Sequence, residues 1–352
     1  MNLKKAVDEI KGLDEDVIEK VQKRLDNLTK PLGSLGTLED LVKQIGGITG
    51  EVFPETKNKT VIIMCADNGV VEEGVSSCPK SVTSTVTRNF MKGFTGINVF
   101  TKHAGADIKV VDIGVDDDIN EEGIINRKIR KGTSNMAKGP AMTREEAIKG
   151  LQIGIEIVKE LKDKNVNVLG TGEMGIGNTT TSSAVAAVLT GCKVEDMVGI
   201  GSGLTKAAFQ NKIEIIKRSI DVNKPDALDA VDVLSKVGGF DIAGLAGCFL
   251  GAAIYRIPIV IDGFISAAAA LTAVKINPKV KNFIIPSHGS AEPGSKRIME
   301  ELNLEPMLNL KMRLGEGTGA ALAFQIIDMA LFSYMEMGTF EKANIEAYKP
   351  LE

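Results

Sequence analysis

Two carboxylates stand in glycine-rich turns, each just ahead of a run of small residues. Glu173 lies in GTGEMGIGNTTTSSAV, residues 170–185, and Glu316 lies in MRLGEGTGAALA, residues 312–323. In the first stretch, 166–171 reads as a strand, 172–178 as a turn and 179–190 as a helix with Asn178 as its N-cap. A helix N-terminus leaves unpaired N–H groups and carries a partial positive charge. Glycines such as Gly175 and Gly177 let an anion reach those groups, and the hydroxyls of Thr179 and Thr180 add donors. A plain connection between strand and helix explains the same stretch equally well. The P-loop pattern is missing because no lysine follows at its place, and the dinucleotide fingerprint is missing because the glycine spacing is wrong. The second turn has the same construction, and two acid-bearing turns at helix starts suggest two carboxylates facing one pocket. An acid at a helix start gains roughly 0.3–1 kcal/mol from the dipole, which favours its ionised form and weakens it as a base. A working base there needs burial to raise its pKa. A third junction, IPSHGSAEPGSKR at 285–297, offers Ser287, Gly289 and Ser290 as donors to a phosphate or ribose, beside His288.

These turns need a frame. TVIIMCADNGV, IKVVDIGV, VNVLGTGEM, IPIVIDGF and NFIIPSHGS each hold a short apolar or β-branched run that breaks at a polar residue or glycine. Continuous apolar runs of that length fit strands buried on both faces. Helical segments lie between them at 80–103, 143–163, 179–190, 206–220 and 241–254. The alternation predicts a doubly wound, Rossmann-like α/β fold with a mainly parallel sheet of about five or six strands. Ligands in such sheets sit beyond the carboxyl ends of the strands. Asp67, Asn68, Asp112, Glu173, Asp262, Ser287 and His288 all fall there. Residues 1–30 carry apolar positions at a helical period, and Thr37 can cap a further helix whose first turn holds Glu39 and Asp40.

The bulk composition narrows the function. The chain has 352 residues and a net charge of −4, which disfavours a nucleic-acid backbone as partner but leaves room for one small anion. The cysteines, Cys65, Cys78, Cys192 and Cys248, form no C-x-x-C pair and have no histidine at ligand spacing. Neither a metal nor a cofactor is expected. The N-terminus is charged throughout and the small-apolar stretches such as AAAALTAV are too short to span a bilayer, so a cytoplasmic protein without membrane attachment is expected.

Taken together, LTKPLGSLGTLE (28–39), CADNGVVEEGVSSCPKSVT (65–83), GTGEMGIGNTTTSSAV (170–185), DVLSKVGGFDIAGLAG (232–247), DGFISAAAAL (262–271), PSHGSAEPG (286–294) and MRLGEGTGAALA (312–323) run in order through nearly the whole chain. This combination resembles the nicotinate-nucleotide:dimethylbenzimidazole phosphoribosyltransferases, which activate the lower-ligand base of cobamides. The resemblance implies that nicotinate mononucleotide gives its phosphoribosyl group to a benzimidazole-type base, with an α-configured product. It implies that Glu316 is the base, that Glu173 lies near the ribose, and that Gly175, Gly177, Asn178, Thr179 and Thr180 cradle the 5′-phosphate. Lys212 matches a lysine that pairs with the phosphate, and Ser290 and Gly317 join the phosphate and ribose side. Cys78, Thr85, Val86 and Leu314 fall on the base side, where relatives often carry a glutamine at the position of Thr85 or Val86. Asn68 stands where histidine is frequent. The resemblance also implies a homodimer. Its subunit has an α/β domain at 31–330 and a small helical domain built from 1–30 and 331–352. A transferase using a phosphoribosyl pyrophosphate is disfavoured, because the acids of VDIGVDDDIN precede no threonine-rich loop. A non-catalytic nucleotide binder on the same sheet is the rival from a different class.

Overall fold

A computed structural model describes residues 3–199 and 205–346. Six strands run parallel in one sheet of order β3-β2-β1-β4-β5-β6. They are β1 (Lys59–Ala66), β2 (Ala106–Gly114), β3 (Ile125–Asn126), β4 (Val168–Met174), β5 (Ile259–Ile261) and β6 (Ile284–Pro286). Five correspond to the apolar runs. The two-residue β3 lacks such a run, so nothing in its sequence announces it.

Why the runs are continuous is visible in the two cores. Along β1, Ile62, Met64 and Ala66 enter one core while Val61, Ile63 and Cys65 enter the other. The same division separates Leu169 from Val168, Ile259 from Val260, and Ile284 from Ile285. Alternate side chains of a strand point to opposite faces, so covering both faces with helices makes every position apolar. On one face lie the helices Arg144–Lys162, Asn178–Thr190, Phe240–Tyr255 and Phe264–Ile276. Two of these approach closely through glycine: a Cβ on Gly154 would fall 2.1 Å from the Gly244 carbonyl oxygen. The other face holds Glu15–Asp26, Thr37–Thr49, Gly96–Ala104 and Thr318–Glu336. This last helix is long and apolar enough to cross a membrane, and 56% of its apolar window is buried inside the protein.

Local differences from the sequence expectations have simple causes. The helical segment 1–30 is broken into Leu3–Asp8 and Glu15–Asp26, with Asp14 capping the second. Gly36, not Thr37, occupies the N-cap of Thr37–Thr49. The segment 80–103 splits at Gly93 into Val82–Asn89 and Gly96–Ala104, because Gly93 turns left-handed at φ 78°. Residue 330 falls inside the unbroken helix Thr318–Glu336, which contains no breaker after Gly319.

Candidate active site

Strand β4 runs on to Met174, so Glu173 belongs to the strand rather than to the turn after it. Gly177, at φ 91°, takes the N-cap of the next helix, and Asn178 is its first residue. The Asn178 side-chain amide donates to the Glu173 carboxylate. Beside β4, the turn Gly315, Glu316, Gly317 is left-handed at all three residues, with φ of 83°, 61° and 98°. It packs directly over Gly172, where a Cβ would meet the Glu316 carbonyl oxygen at 2.3 Å. The missing side chain at Gly172 is what brings Glu173 and Glu316 to one cleft.

That cleft has a volume of about 360 Å³, within the range of small-molecule sites. Glu173, Gly175, Gly177, Asn178 and Thr179 form one wall, and Asp262, His288, Ser290 and Glu292 another. Cys78, Val82, Val86, Arg313, Leu314 and Glu316 also line it. Lys212 lies behind the first wall, almost wholly buried, with Nζ donating to Thr179 Oγ1 at 2.8 Å.

The expected residues divide accordingly. Cys78, Val86 and Leu314 line the cleft, whereas Thr85 does not. Thr85 is exposed and its hydroxyl donates to the Ser81 carbonyl at 3.0 Å. On the helix Val82–Asn89, Val82 and Val86 both line the cleft one turn apart, whereas Thr85 lies about 100° round the helix from Val86 and is exposed. Val82 is therefore a wall residue that the sequence reading missed, and its i, i+4 spacing from Val86 was the available signal. Thr180 is fully buried and does not line the cleft. Gly317 is also committed to the fold, its N–H donating to Asp262 Oδ2 at 3.0 Å. Among the polar residues at strand ends, Glu173, Asp262 and His288 reach the cleft. The others serve the scaffold. Asp67 accepts from the Asp116 N–H at 2.8 Å, Asp112 pairs with Lys128 at 3.0 Å, Asn68 accepts from Thr181 at 3.3 Å, and Ser287 donates to the Asp262 carbonyl at 3.0 Å.

Burial governs the charges. Glu173 is pushed up to about 8, first by burial and then by the nearby carboxylates Asp241 and Asp262, against the pull of Asn178. Asp241, buried behind it at the start of the helix Phe240–Tyr255, is raised to about 6 for the same first reason. Glu316 accepts from the Ile97 N–H at 3.0 Å, at the start of the helix Gly96–Ala104. Those backbone donors lower its pKa, yet burial wins and the net direction is upward. Lys212 is lowered to about 8 by burial, with Glu292 opposing. The site thus pairs a half-buried acid of raised pKa with a buried lysine behind a threonine-bearing helix start. This arrangement can accept a proton on one side and hold an anion on the other.

Comparison with known proteins gives one family. The sequence model of DBI_PRT, described as phosphoribosyltransferase, matches residues 10–345. The nicotinate-nucleotide–dimethylbenzimidazole phosphoribosyltransferase of Clostridium acetobutylicum is 80% identical over 352 residues, covering 100% of both chains. That of Ruminiclostridium cellulolyticum is 68% identical, again over 100% of both. The crystal structure of CobT from Thermus thermophilus superposes with a TM-score of 0.90 at 36% identity, covering 95% of this chain and 100% of that one. The chain belongs to the phosphoribosyltransferase family DBI_PRT.

Proposed function

We propose that this protein transfers the phosphoribosyl group of nicotinate mononucleotide to dimethylbenzimidazole or a related base, a step in making the lower-ligand nucleotide of cobamides. The observation that carries the reading is the meeting of Glu316 and Glu173 in one cleft, with Lys212 behind Thr179 of its wall, in a chain 80% identical to an enzyme of that name. The C1′–N bond to the nicotinate ring breaks, and its electron pair neutralises the pyridinium nitrogen. A nitrogen of the incoming base bonds to C1′ from the opposite face, so a β-nucleotide gives an α product. The N–H proton of that base goes to Glu316, which burial makes a stronger proton acceptor than an ordinary carboxylate. The leaving group departs as a neutral pyridine and needs no acid.

Glu173 faces the sugar in this reading. With a pKa of about 8 it is protonated in the empty site at neutral pH. A cationic nicotinate ring and the oxocarbenium-like centre that follows would pull that pKa down, so the carboxylate charge develops where positive charge does. Lys212, Thr179 and the glycines at 175 and 177 take the phosphate, with Asn178 and Ser290 on the ribose side. Thr180 and Gly317 act as scaffold. Cys78, Val82, Val86 and Leu314 form the base wall.

Incubation with nicotinate mononucleotide and dimethylbenzimidazole, followed by proton NMR of the new nucleoside phosphate, tests the reading. An α anomeric signal is expected; a β product or no product contradicts it. The proposal extends to a cytoplasmic homodimer whose small domain is drawn from both chain ends. Supporting it, Leu28 bridges Thr339 and Arg24 donates to the Tyr334 carbonyl at 3.0 Å. The exposed apolar Met329 and Phe332 lie on the adjoining helix surface, and all four cysteines are free thiols.

A further inference from the structure

We propose that Asp262 is a positioning residue of this site: from the end of β5 its carboxylate holds the N–H groups of Gly317 and Gly319, and so fixes the left-handed turn that aims Glu316 into the cleft. The inference rests on the assignment of Glu316 as the base.

Left-handed backbone is unfavourable for any residue with a side chain, and it persists only where the surroundings hold it. Glu316 sits at φ 61° between two glycines that are also left-handed. Its own N–H faces the Glu173 carboxylate. The next N–H, from Gly317, donates to Asp262 Oδ2 at 3.0 Å, and that of Gly319 donates to Asp262 Oδ1 at 2.6 Å. Both oxygens of one carboxylate therefore grip the two sides of the turn-to-helix junction. They do so from a residue 55 positions away in the chain, so this is a tether between β5 and the turn rather than a local cap.

Asp262 is itself held. Its N–H donates to Ser266 Oγ at 3.2 Å, and its carbonyl accepts from Ser287 Oγ at 3.0 Å. There is no slack beside it: a Cβ on Gly319 would lie 2.8 Å from Asp262 Oδ1 and 2.1 Å from His288 Cδ2. Its charge also reaches both working acids. Glu316 on the turn and Glu173 on β4 are each raised by the Asp262 carboxylate, while His288, just beyond β6, stands 3.9 Å from Asp262 and lowers the pKa of Asp262 itself. The N–H groups that start the helix Gly96–Ala104 face Glu316 from the far side and pull it down. Arg313 precedes the turn at the cleft wall.

The test is a double-mutant cycle on kcat with nicotinate mononucleotide and dimethylbenzimidazole, using Asp262→Asn, Glu316→Gln and the double variant. A neutral amide cannot accept both N–H groups. Asp262→Asn should lower kcat on the order of 10²-fold while leaving KM for the nucleotide within about threefold. In that background Glu316→Gln should cost about tenfold or less, because an unaimed base has little left to lose. The acid limb of the kcat/KM profile should move to lower pH, since removing the Asp262 charge lowers the pKa of Glu316. Losses that multiply independently, with an unmoved pH profile, reduce Asp262 to a structural cap and overturn the proposal. Should Asp262→Asn fail to fold, Ser287→Ala loosens the same tether more gently. It should lower kcat several-fold, and adding Glu316→Gln to it should again cost less than in the wild type. Wild-type kcat in folded Ser287→Ala then overturns the proposal. A wild-type protein that makes no α-nucleotide refutes the proposed function itself, before any variant is compared.

Discussion

Replacing Lys212 by methionine should stabilise the empty protein and weaken its hold on the nucleotide. The lysine is 1% exposed, and its pKa is lowered from 10.5 to about 8 by burial. At roughly 1.36 kcal/mol per unit, holding that charge in place costs about 3 kcal/mol at neutral pH. Methionine has a similar length and no charge to desolvate. Part of the gain is offset, because the bond to Thr179 and the attraction of Glu292 are lost as well. A net stabilisation of about 1–2 kcal/mol remains, which raises Tm by a few degrees in a chain of this size. The sign also sets a pH dependence. The native lysine releases its proton at about pH 8 while the unfolded one keeps its proton to about 10.5. Wild-type stability therefore gains from this group as pH climbs from 8 to 10.5, and the variant lacks that rise. Binding goes the other way. A hydrogen bond to a charged group is worth about 1.5–3 kcal/mol, so Kd for nicotinate mononucleotide should rise about 10–150-fold, with little change for the free base. Differential scanning calorimetry and isothermal titration calorimetry measure the two effects. A lower Tm, or equal losses for nucleotide and base, refutes the assignment of Lys212 as a charge kept buried for the phosphate.

Glu316→Gln should cut kcat by roughly 10²–10⁴-fold with the fold intact, and a near-normal turnover by stopped assay contradicts its role as base. Glu316→Gly should also abolish turnover, yet thermal melts should show no loss of stability, since the left-handed φ of 61° suits glycine. Val86→Gln should narrow base choice toward rings with a second nitrogen, whereas Thr85→Gln should leave kcat/KM across dimethylbenzimidazole, benzimidazole and adenine unchanged, because only position 86 lines the cleft. Losing or gaining one neutral hydrogen bond is worth about 0.5–1.5 kcal/mol, so the shift should be several-fold rather than absolute. Glu173, raised from 4.5 to about 8, keeps a proton in the native state that the unfolded chain releases, so its contribution to stability falls as pH rises from 4.5 and is gone once pH has passed 8. Glu173→Gln should flatten that fall in urea-denaturation midpoints measured from pH 5 to 9.

The sheet was legible because burial on both faces writes itself as uninterrupted apolar runs. A strand of two residues, Ile125–Asn126, writes nothing. The acids at 173 and 316 were visible as polar interruptions among glycines, but their spatial neighbours were not. Asp262 appeared only as one more strand-end residue, since its partners Gly317 and Gly319 lie more than fifty positions on. Gly96 gave no sign that its helix start receives the Glu316 carboxylate. Thr85 and Val86 looked equivalent until the helix phase turned one out and the other in. Local pattern specifies elements, whereas contacts across the sheet depend on how those elements pack.

The most direct measurement is the release of nicotinate from nicotinate mononucleotide, followed by chromatography with and without dimethylbenzimidazole. Transfer through this cleft predicts release only when the base is present, one nicotinate for each α-nucleotide formed. Release without base, or binding of the nucleotide with no release at all, contradicts it.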